Sequence, residues 1–562
     1  MAGLALGPLL RYVGADQATV WVETDGPCEV EVRGHRAATF HVEGHHYALV
    51  VVEGLEPGRT YEYEVLLDGE PVWPEPGGRF PPSSIRTLDP EVRGRPLKLL
   101  FGSCRVAAPH EPPYTLPKHV DKRGREVDAL RTFALRMLEQ PPEAWPHALF
   151  MLGDQVYADD TSPGTREFIR QRRDTSQPPG EEVADFEEYT HLYREAWSEP
   201  VLRWLLSTVP SAMIFDDHDV HDDWNTSAAW LATMRAEPWW QERIESGLAA
   251  YWIYQQLGNL SPPELAEDPV YAKVLAAEDA GPLLRRFAAE ADQETEGARW
   301  SYHRDFGTTR LLVIDSRCGR VLDEHAREML DPEEWRWVEE RMTGEFDHLL
   351  VATSLPFLLA PGTHHLEAWN EAVCAGAWGR LAARLGEQLR QGADLEHWAA
   401  FGRSFDRLAR LLVEVASGRR GPAPSSVVVL SGDVHHAYLA RVEDPPGTRL
   451  ESKVYQVVCS PLRNALEPSM RRVHRLAMTR TGERIGRALA RLAGARRPAI
   501  GWRVLRGPWF DNQVATMDLD GRGIELRIER APAGHDPDPS LDPVLDHRLA
   551  EVAPGPDPGS RS

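Results

Sequence analysis

The chain has 562 residues, which at roughly 150 residues per domain allows three or four domains, or two large ones. Its 42% hydrophobic and 27% charged content is that of a globular protein and excludes a mainly disordered chain. Lys and Arg number 63 against 86 Asp and Glu, a net charge of −23 that argues against a general nucleic-acid binder and leaves many oxygen ligands for hard cations.

Residues 1 to about 90 alternate apolar and polar residues in short runs, ATVWVET (18–24), CEVEVRG, HYALVVVEG and YEYEVLLDG, separated by Gly, Pro and Asp turns. That spacing predicts a small antiparallel β-sandwich. Within it, LEPGRTYEYEV (55–65) is similar to the turn-then-tyrosine element of fibronectin type III-like modules. Crowded Pro and Gly residues from Pro74 to Pro82 close the region, which puts the domain boundary near 85–95.

Six short apolar runs follow, each ending in polar residues and separated by helical patterns: LKLLFGSCR, HALFMLGDQ, SAMIFDDHD, RLLVIDSR, HLLVATSLP and SVVVLSGDVHH. They predict a mixed or parallel sheet covered on both faces, with functional groups just past the carboxyl ends of its strands. Those ends carry Cys104, Asp154, Asp217, His218, Asp315, Asp433 and His435. Residues 161–300 are Trp-rich and read as a helical insertion. Residues 463–506 hold twelve Arg and two Glu and read as an amphipathic helical segment. Such a helix can lie on anionic membrane; the simpler expectation is that its arginines pair with the acidic remainder of the chain. The Pro/Asp/Gly-rich stretch 529–562 is predicted to be disordered.

Five scattered cysteines without a CxxC pair, no export leader and no apolar run of eighteen residues point to a cytoplasmic protein with no membrane span and no disulfide framework.

The strand-end motifs carry the chemistry. In GDQVYADD, Gly153 lets the chain turn sharply and present Asp154, and Tyr157 follows three residues later. The pair reads equally as a hard-cation site and as a helix cap beside a packing residue. FDDHDVHDDWN crowds five acids and two imidazoles into eight residues directly after an apolar strand. They cannot all be desolvated without a counter-charge. In SGDVHH, Asp433 and His435 are two apart and would share a face of an extended segment. FGSCR offers Cys104, a packing residue or a metal-stabilised thiolate, and Arg105, whose planar fork suits an anionic substrate. Trp398, His364 and His365 lie between the last strands and read as core.

GSCR, GDQVYAD, DDHDV, IDSR and LSGDVHH, in this order, resemble the alkaline phosphatase D (PhoD-like) family of metallophosphatases, over about residues 1–525. The resemblance implies an α/β fold, a calcineurin-like four-layer metallophosphoesterase sandwich over 95–528 preceded by the small all-β domain of residues 1–90. It implies hydrolysis of phosphate monoesters, phosphodiesters or both by a metal-activated hydroxide. Cys104, Asp154, Tyr157 and His435 would hold iron(III), and Asp154 would bridge to one or two calcium ions also held by Asp217 and Asp433. Arg105 would bind the phosphate, and His218, oriented by Asp219 or Asp216, would assist the leaving group. The chain departs from the family pattern in DDHDVHDD, where DDHEV and Asn residues are usual, and in the insertion 106–125. Two other readings use the same residues differently: a non-catalytic protein that binds membrane or a partner through the Arg-rich segment, and an amide-cleaving metallohydrolase, which Arg105 disfavours.

Overall fold

In the N-terminal region, successive side chains of each strand must find two different apolar environments, because β-strand side chains alternate with a period of two. The computed structural model, which describes residues 2–89, 96–294, 297–534 and 539–551, meets this with two four-stranded antiparallel sheets. One orders Leu4–Val13, Ala18–Thr24, His45–Val52 and Phe40–Val42; the other orders His35–Ala38, Glu29–Val32, Val65–Leu67 and Glu70–Trp73. Val20, Val22, Val30, Val50 and Val65 fill the space between them. Trp21, Tyr47 and Leu49, on the opposite face, belong to the core of the rest of the molecule. The all-β domain is therefore welded to its neighbour. Trp21 and Tyr47 pack on Tyr254 with ring centroids 5.2 and 5.6 Å away. The buried Arg11 guanidinium donates to the carbonyls of Tyr254 and Gln255 at 2.6 and 2.7 Å.

All six apolar runs are strands, three in each of two mixed sheets. Ser211–Ile214, Ala148–Leu152 and Leu97–Gly102 run parallel in a six-stranded sheet completed by the antiparallel strands Gln513–Asp520, Gly523–Arg530 and Asp542–Ala550. Thr309–Val313, His348–Ala352, Ser426–Ser431 and Lys453–Val458 run parallel within a seven-stranded sheet. Antiparallel strands Tyr302–Phe306, Ala437–Val442 and Trp502–Trp509 flank them. Alternation again sorts the residues. Leu311, Val313, Leu350, Ala352, Val428 and Leu430 share a core with Leu99 and Phe101 of the other sheet. Their neighbours Leu312, Leu349, Val351, Val427 and Val429 pack on helices Pro332–Arg341 and Gly402–Ala416 through Trp335, Val338, Phe405 and Leu408. No helix among the described residues is long and apolar enough to cross a membrane.

Two expectations need correction. Residues 161–300 do hold helices, but they are not one insertion, because Ser211–Ile214 within them is a strand of the six-stranded sheet. The stretch 529–562 is not uniformly disordered: Asp542–Ala550 pairs with Gly523–Arg530 and buries Leu545 and Leu549. Its Pro and Asp content masks an edge strand, where a missing N–H is tolerated. Residues 90–95, at the domain boundary, and 552–562 lie outside the described residues.

The weld gives a test. Trp21→Ala should cost about 3–5 kcal/mol by opening a cavity at the seam. Urea unfolding followed by Trp fluorescence should then resolve an earlier transition for the N-terminal sheets, whereas an unshifted single transition would refute the coupling.

Candidate metal centre

Parallel strands direct their carboxyl ends to one side, so the loops after Leu97–Gly102, Ala148–Leu152, Ser211–Ile214 and Ser426–Ser431 meet. The side chains turn inward there through left-handed backbone: φ is 57° at Cys104, 54° at Asp154, 64° at Asp433 and 50° at His435. For residues bearing a Cβ this conformation costs on the order of 1–3 kcal/mol each and collects at functional sites. It also corrects the expectation for Asp433 and His435, which converge through a tight left-handed turn rather than by sharing a face of an extended segment. Two glycines make the crowding possible. A Cβ on Gly153 (φ 104°) would lie 2.8 Å from that of Asp216, and one on Gly432 would overlap Ser103 Oγ at 1.9 Å.

Three overlapping groups of ligand atoms result, each group within 4.8 Å: Cys104, Asp154 and His435; Asp154, Asp217 and His218; Asp216, Asp217 and Asp433. The Tyr157 hydroxyl donates to Asp154 Oδ2 at 3.3 Å. Seven of the eight residues singled out from the sequence are thus together, and Asp216 joins them.

The residues fit a bound cation. Asp154 Oδ1 and Asp216 Oδ2 are buried without a hydrogen-bond partner, which is costly unless something else satisfies them. Burial pushes the Asp154 and Asp216 carboxyls well above the usual carboxylate range. The neighbouring acids add to this, against the opposing pull of His218 on one and Arg317 on the other. Burial, then Asp154, pushes the Cys104 thiol and Tyr157 phenol up as well. A multivalent cation would reverse each of these shifts. Thiol, phenol, imidazole and carboxylate around Asp154 suit a transition metal, and the all-carboxylate group suits a harder ion.

Several buried groups that sequence reasoning missed hold this cluster in place. Arg317, from the IDSR motif, is fully buried; it bonds Asp216 Oδ1, lies 3.1 Å from Asp217 Oδ1 and 2.6 Å from Glu396 Oε2. His397 places Nε2 2.8 Å from Asp433 Oδ2 and Nδ1 2.7 Å from Glu367 Oε1. Burial alone would raise the Asp433 carboxyl; His397 and then Arg317 hold it down at about 2. His218 turns Nδ1 to both oxygens of Asp159, 2.9 Å away. Asp159 therefore orients this imidazole, not Asp219 or Asp216. Asp219 instead accepts from the backbone N–H groups of Asp154 and Asp216. Burial pulls the His218 pKa down, but Asp159 and then Asp217 lift it well above the ordinary imidazole value. Trp398 is fully buried in the core behind the site.

Arg105 is the exception. Its Nε and NH2 lie 2.9 and 2.8 Å from Asp128 Oδ2, and NH1 donates to the Ala196 carbonyl at 2.8 Å. The guanidinium is committed to this buried pair, so the structure does not bring it to the cluster as a phosphate ligand.

His218, Asp217, Asp433, His435 and His397 line a cavity of about 180 Å³, together with Asp394, Met470 and His474. A larger cleft of about 320 Å³, near Arg59 and Phe306, holds none of the metal-ligand groups found among the described residues.

The sequence profile of "PhoD-like phosphatase" matches residues 134–483, and that of a "domain of unknown function (DUF7800)" matches residues 1–85. The first span contains every cluster residue named above except Cys104. A solved structure titled "Structure of PhoD" superimposes with a TM-score of 0.57 at 12% identity, covering 98% of this chain and 93% of that one. A maltogenic amylase from S. marinus aligns at a TM-score of 0.15 and 9% identity, over 93% of this chain and 76% of that one, and carries no argument. No curated protein sequence matches the chain.

The Arg105–Asp128 pair yields a pH prediction. Burial raises the Asp128 carboxyl, yet Arg105 and then His110 more than offset this and leave it at about 2. The folded value lies below the unfolded one, so the pair's contribution is present above roughly pH 4 and is lost as pH falls through about 2. Asp128→Asn keeps a side chain able to cap helix Ala129–Leu138. It should nevertheless lower stability by about 2–3 kcal/mol at pH 7 and flatten the acid limb of a stability–pH curve. An unchanged acid limb would refute the assignment.

Proposed function

The chain belongs to the PhoD-like phosphatase family, a hydrolase family acting on phosphate esters, and from that premise we propose that it cleaves phosphate monoesters, phosphodiesters or both at the cluster around Asp154. The observation that carries this reading is the unsatisfied, buried Asp154 Oδ1 amid a thiol, a phenol and an imidazole.

Cys104, Asp154, Tyr157 and His435 would hold iron(III); Asp154, Asp216, Asp217 and Asp433 would hold calcium. Bound there, the ions would supply Lewis acidity, making water more acidic and offsetting charge on phosphoryl oxygens. The chain's own groups do the rest. His397 keeps Asp433 ionised and fixed, and Arg317 holds Asp216 and Asp217 in place while only partly offsetting the burial that raises their carboxyls. With Arg105 committed to Asp128, and both ring nitrogens of His397 to Glu367 and Asp433, His218 is the cationic side chain on the cavity wall with a nitrogen left to attract and orient a phosphate group. His218, held by Asp159 through Nδ1, keeps its proton at neutral pH and can donate from Nε2 to a departing alkoxide.

The associated fold reading is the calcineurin-like four-layer sandwich, supported by the two sheets sharing one core and by helices packed on the outer face of one of them. The fibronectin type III-like assignment of the first 90 residues is supported by its two facing antiparallel sheets. A cytoplasmic location is supported by five free, scattered cysteines.

Elemental analysis and turnover of nitrophenyl phosphate mono- and diesters test this together. Asp154→Asn and Asp433→Asn should lose both bound metal and activity. His218→Ala should retain metal and lose about a hundredfold to ten-thousandfold in kcat, most severely on alkyl esters with poor leaving groups. Full activity of His218→Ala on those esters would remove it as the proton donor, and a metal-free chain that stays inert when iron and calcium are supplied would overturn the reading.

A further inference from the structure

Helices normally bury their large apolar side chains and leave small or polar ones outside. Two helices here do the reverse. Arg480–Leu492 turns Gly482, Gly486 and Ala490, spaced by four, toward the protein. A Cβ on Gly486 would lie 2.7 Å from the Gly362 carbonyl, and one on Gly482 would lie 2.3 Å from that of Leu476. Ile485 and Leu492 of the same helix are 55% and 73% exposed. Arg380–Gly392 buries Gly386 against Cys374 and Val373, and leaves Leu381, Leu385 and Leu389 exposed along one stripe. The Trp378 indole N–H reaches the Leu492 carbonyl at 3.3 Å and joins the two helices. Helix Pro468–Ala477 adds Met470, Val473 and Leu476. Nine of the eleven large apolar residues exposed among the described residues lie on this face.

The charge there opposes that of the whole chain. Ten exposed arginines sit on or beside the same helices, and among the described residues only Arg487, with Glu483, forms an ion pair. The expectation that the arginines of 463–506 pair internally therefore fails on this surface. Aliphatic side chains interleaved with unpaired arginines complement an apolar layer topped by anionic groups. Nucleic acid would use the arginines and leave the leucines in water.

We propose that this face is a docking surface for an anionic phospholipid bilayer. Met470 and His474 of one docking helix, and Ala393 and Asp394 just past another, also line the cavity of the metal centre. Docking therefore sets the mouth of that cavity at the lipid–water boundary. If the phosphoesterase reading above holds, the substrates within reach are phosphate esters of lipid headgroups. Binding itself does not depend on that reading.

The test uses the full chain and vesicles of phosphatidylcholine with or without phosphatidylglycerol, separated by flotation. The wild type should float with the anionic vesicles, float at least tenfold less with the neutral ones, and be released by high salt. The variant Leu381→Ser/Leu385→Ser/Ile485→Ser/Leu492→Ser changes exposed positions that do not line the cavity. It should lose flotation while keeping turnover of a soluble nitrophenyl diester. Arg472→Glu/Arg484→Glu/Arg491→Glu should abolish the preference for anionic vesicles. A wild type that does not float overturns the proposal, and one that instead sediments as a dimer broken by the Leu→Ser changes assigns the face to a second copy of the chain. Flotation without diester turnover would sink the catalytic reading and leave the docking surface standing.

Discussion

Mutual repulsion among buried carboxylates is the constraint that everything around the site answers to. Asp154, Asp216, Asp217 and Asp219 are buried, and Asp433 beside them is only partly exposed. Water cannot screen them, so each unit of charge must be met by a fixed cation or remain protonated. Arg317 meets part of the demand, with one guanidinium facing Asp216, Asp217 and Glu396. His397 and His218 meet more. What they leave uncovered shows on Asp154 and Asp216, each with a buried oxygen that has no hydrogen-bond partner among the described residues. The donor set left with unmet charge is one that a multivalent cation would satisfy.

That these side chains come together was legible from sequence because each motif is local. A strand end followed by Gly-Asp or by a run of acids places its side chains by the geometry of one sheet, and the parallel runs needed no long-range information beyond their common direction. The partners of those side chains were not legible, for the opposite reason. Asp159 lies in the same motif as Asp154, yet its bond to His218 spans 59 residues; His397 meets Glu367 across 30 and Asp433 across 36. Nothing local distinguishes an aspartate that will face an imidazole from one that will face solvent. Arg105 shows the same limit in reverse. Its place beside Cys104 suggested an anion ligand, and only the fold reveals that helix Ala129–Leu138 delivers the capping Asp128 to it first.

The fold was read to a similar depth. Every apolar run became a strand because continuous burial on both faces demands that composition. The edge strand Asp542–Ala550 escaped because an edge needs only half its hydrogen bonds and one buried face, so Leu545 and Leu549 suffice among Pro and Asp. The double duty of the N-terminal sheet, with Val20 and Val22 facing one core and Trp21 the other, is likewise a tertiary fact. Alternation of Val and Trp is compatible with a free-standing sandwich or a welded one.

Strain and charge at the centre point the same way energetically. Four candidate ligand residues held in left-handed backbone, beside carboxylates that oppose one another, form an unfavourable set that the surrounding sheets must hold in place. Gly432 and Ser103 bring the two sheets into contact at this point, so the sheets clamp the loops and keep them from relaxing apart. A cation that binds the folded chain and not the unfolded one offsets the repulsion directly, and its stabilisation grows with its concentration relative to its dissociation constant. The same geometry that sets these carboxylates against one another would therefore give the cluster its affinity for an ion, since the cost of gathering the side chains is met by the fold.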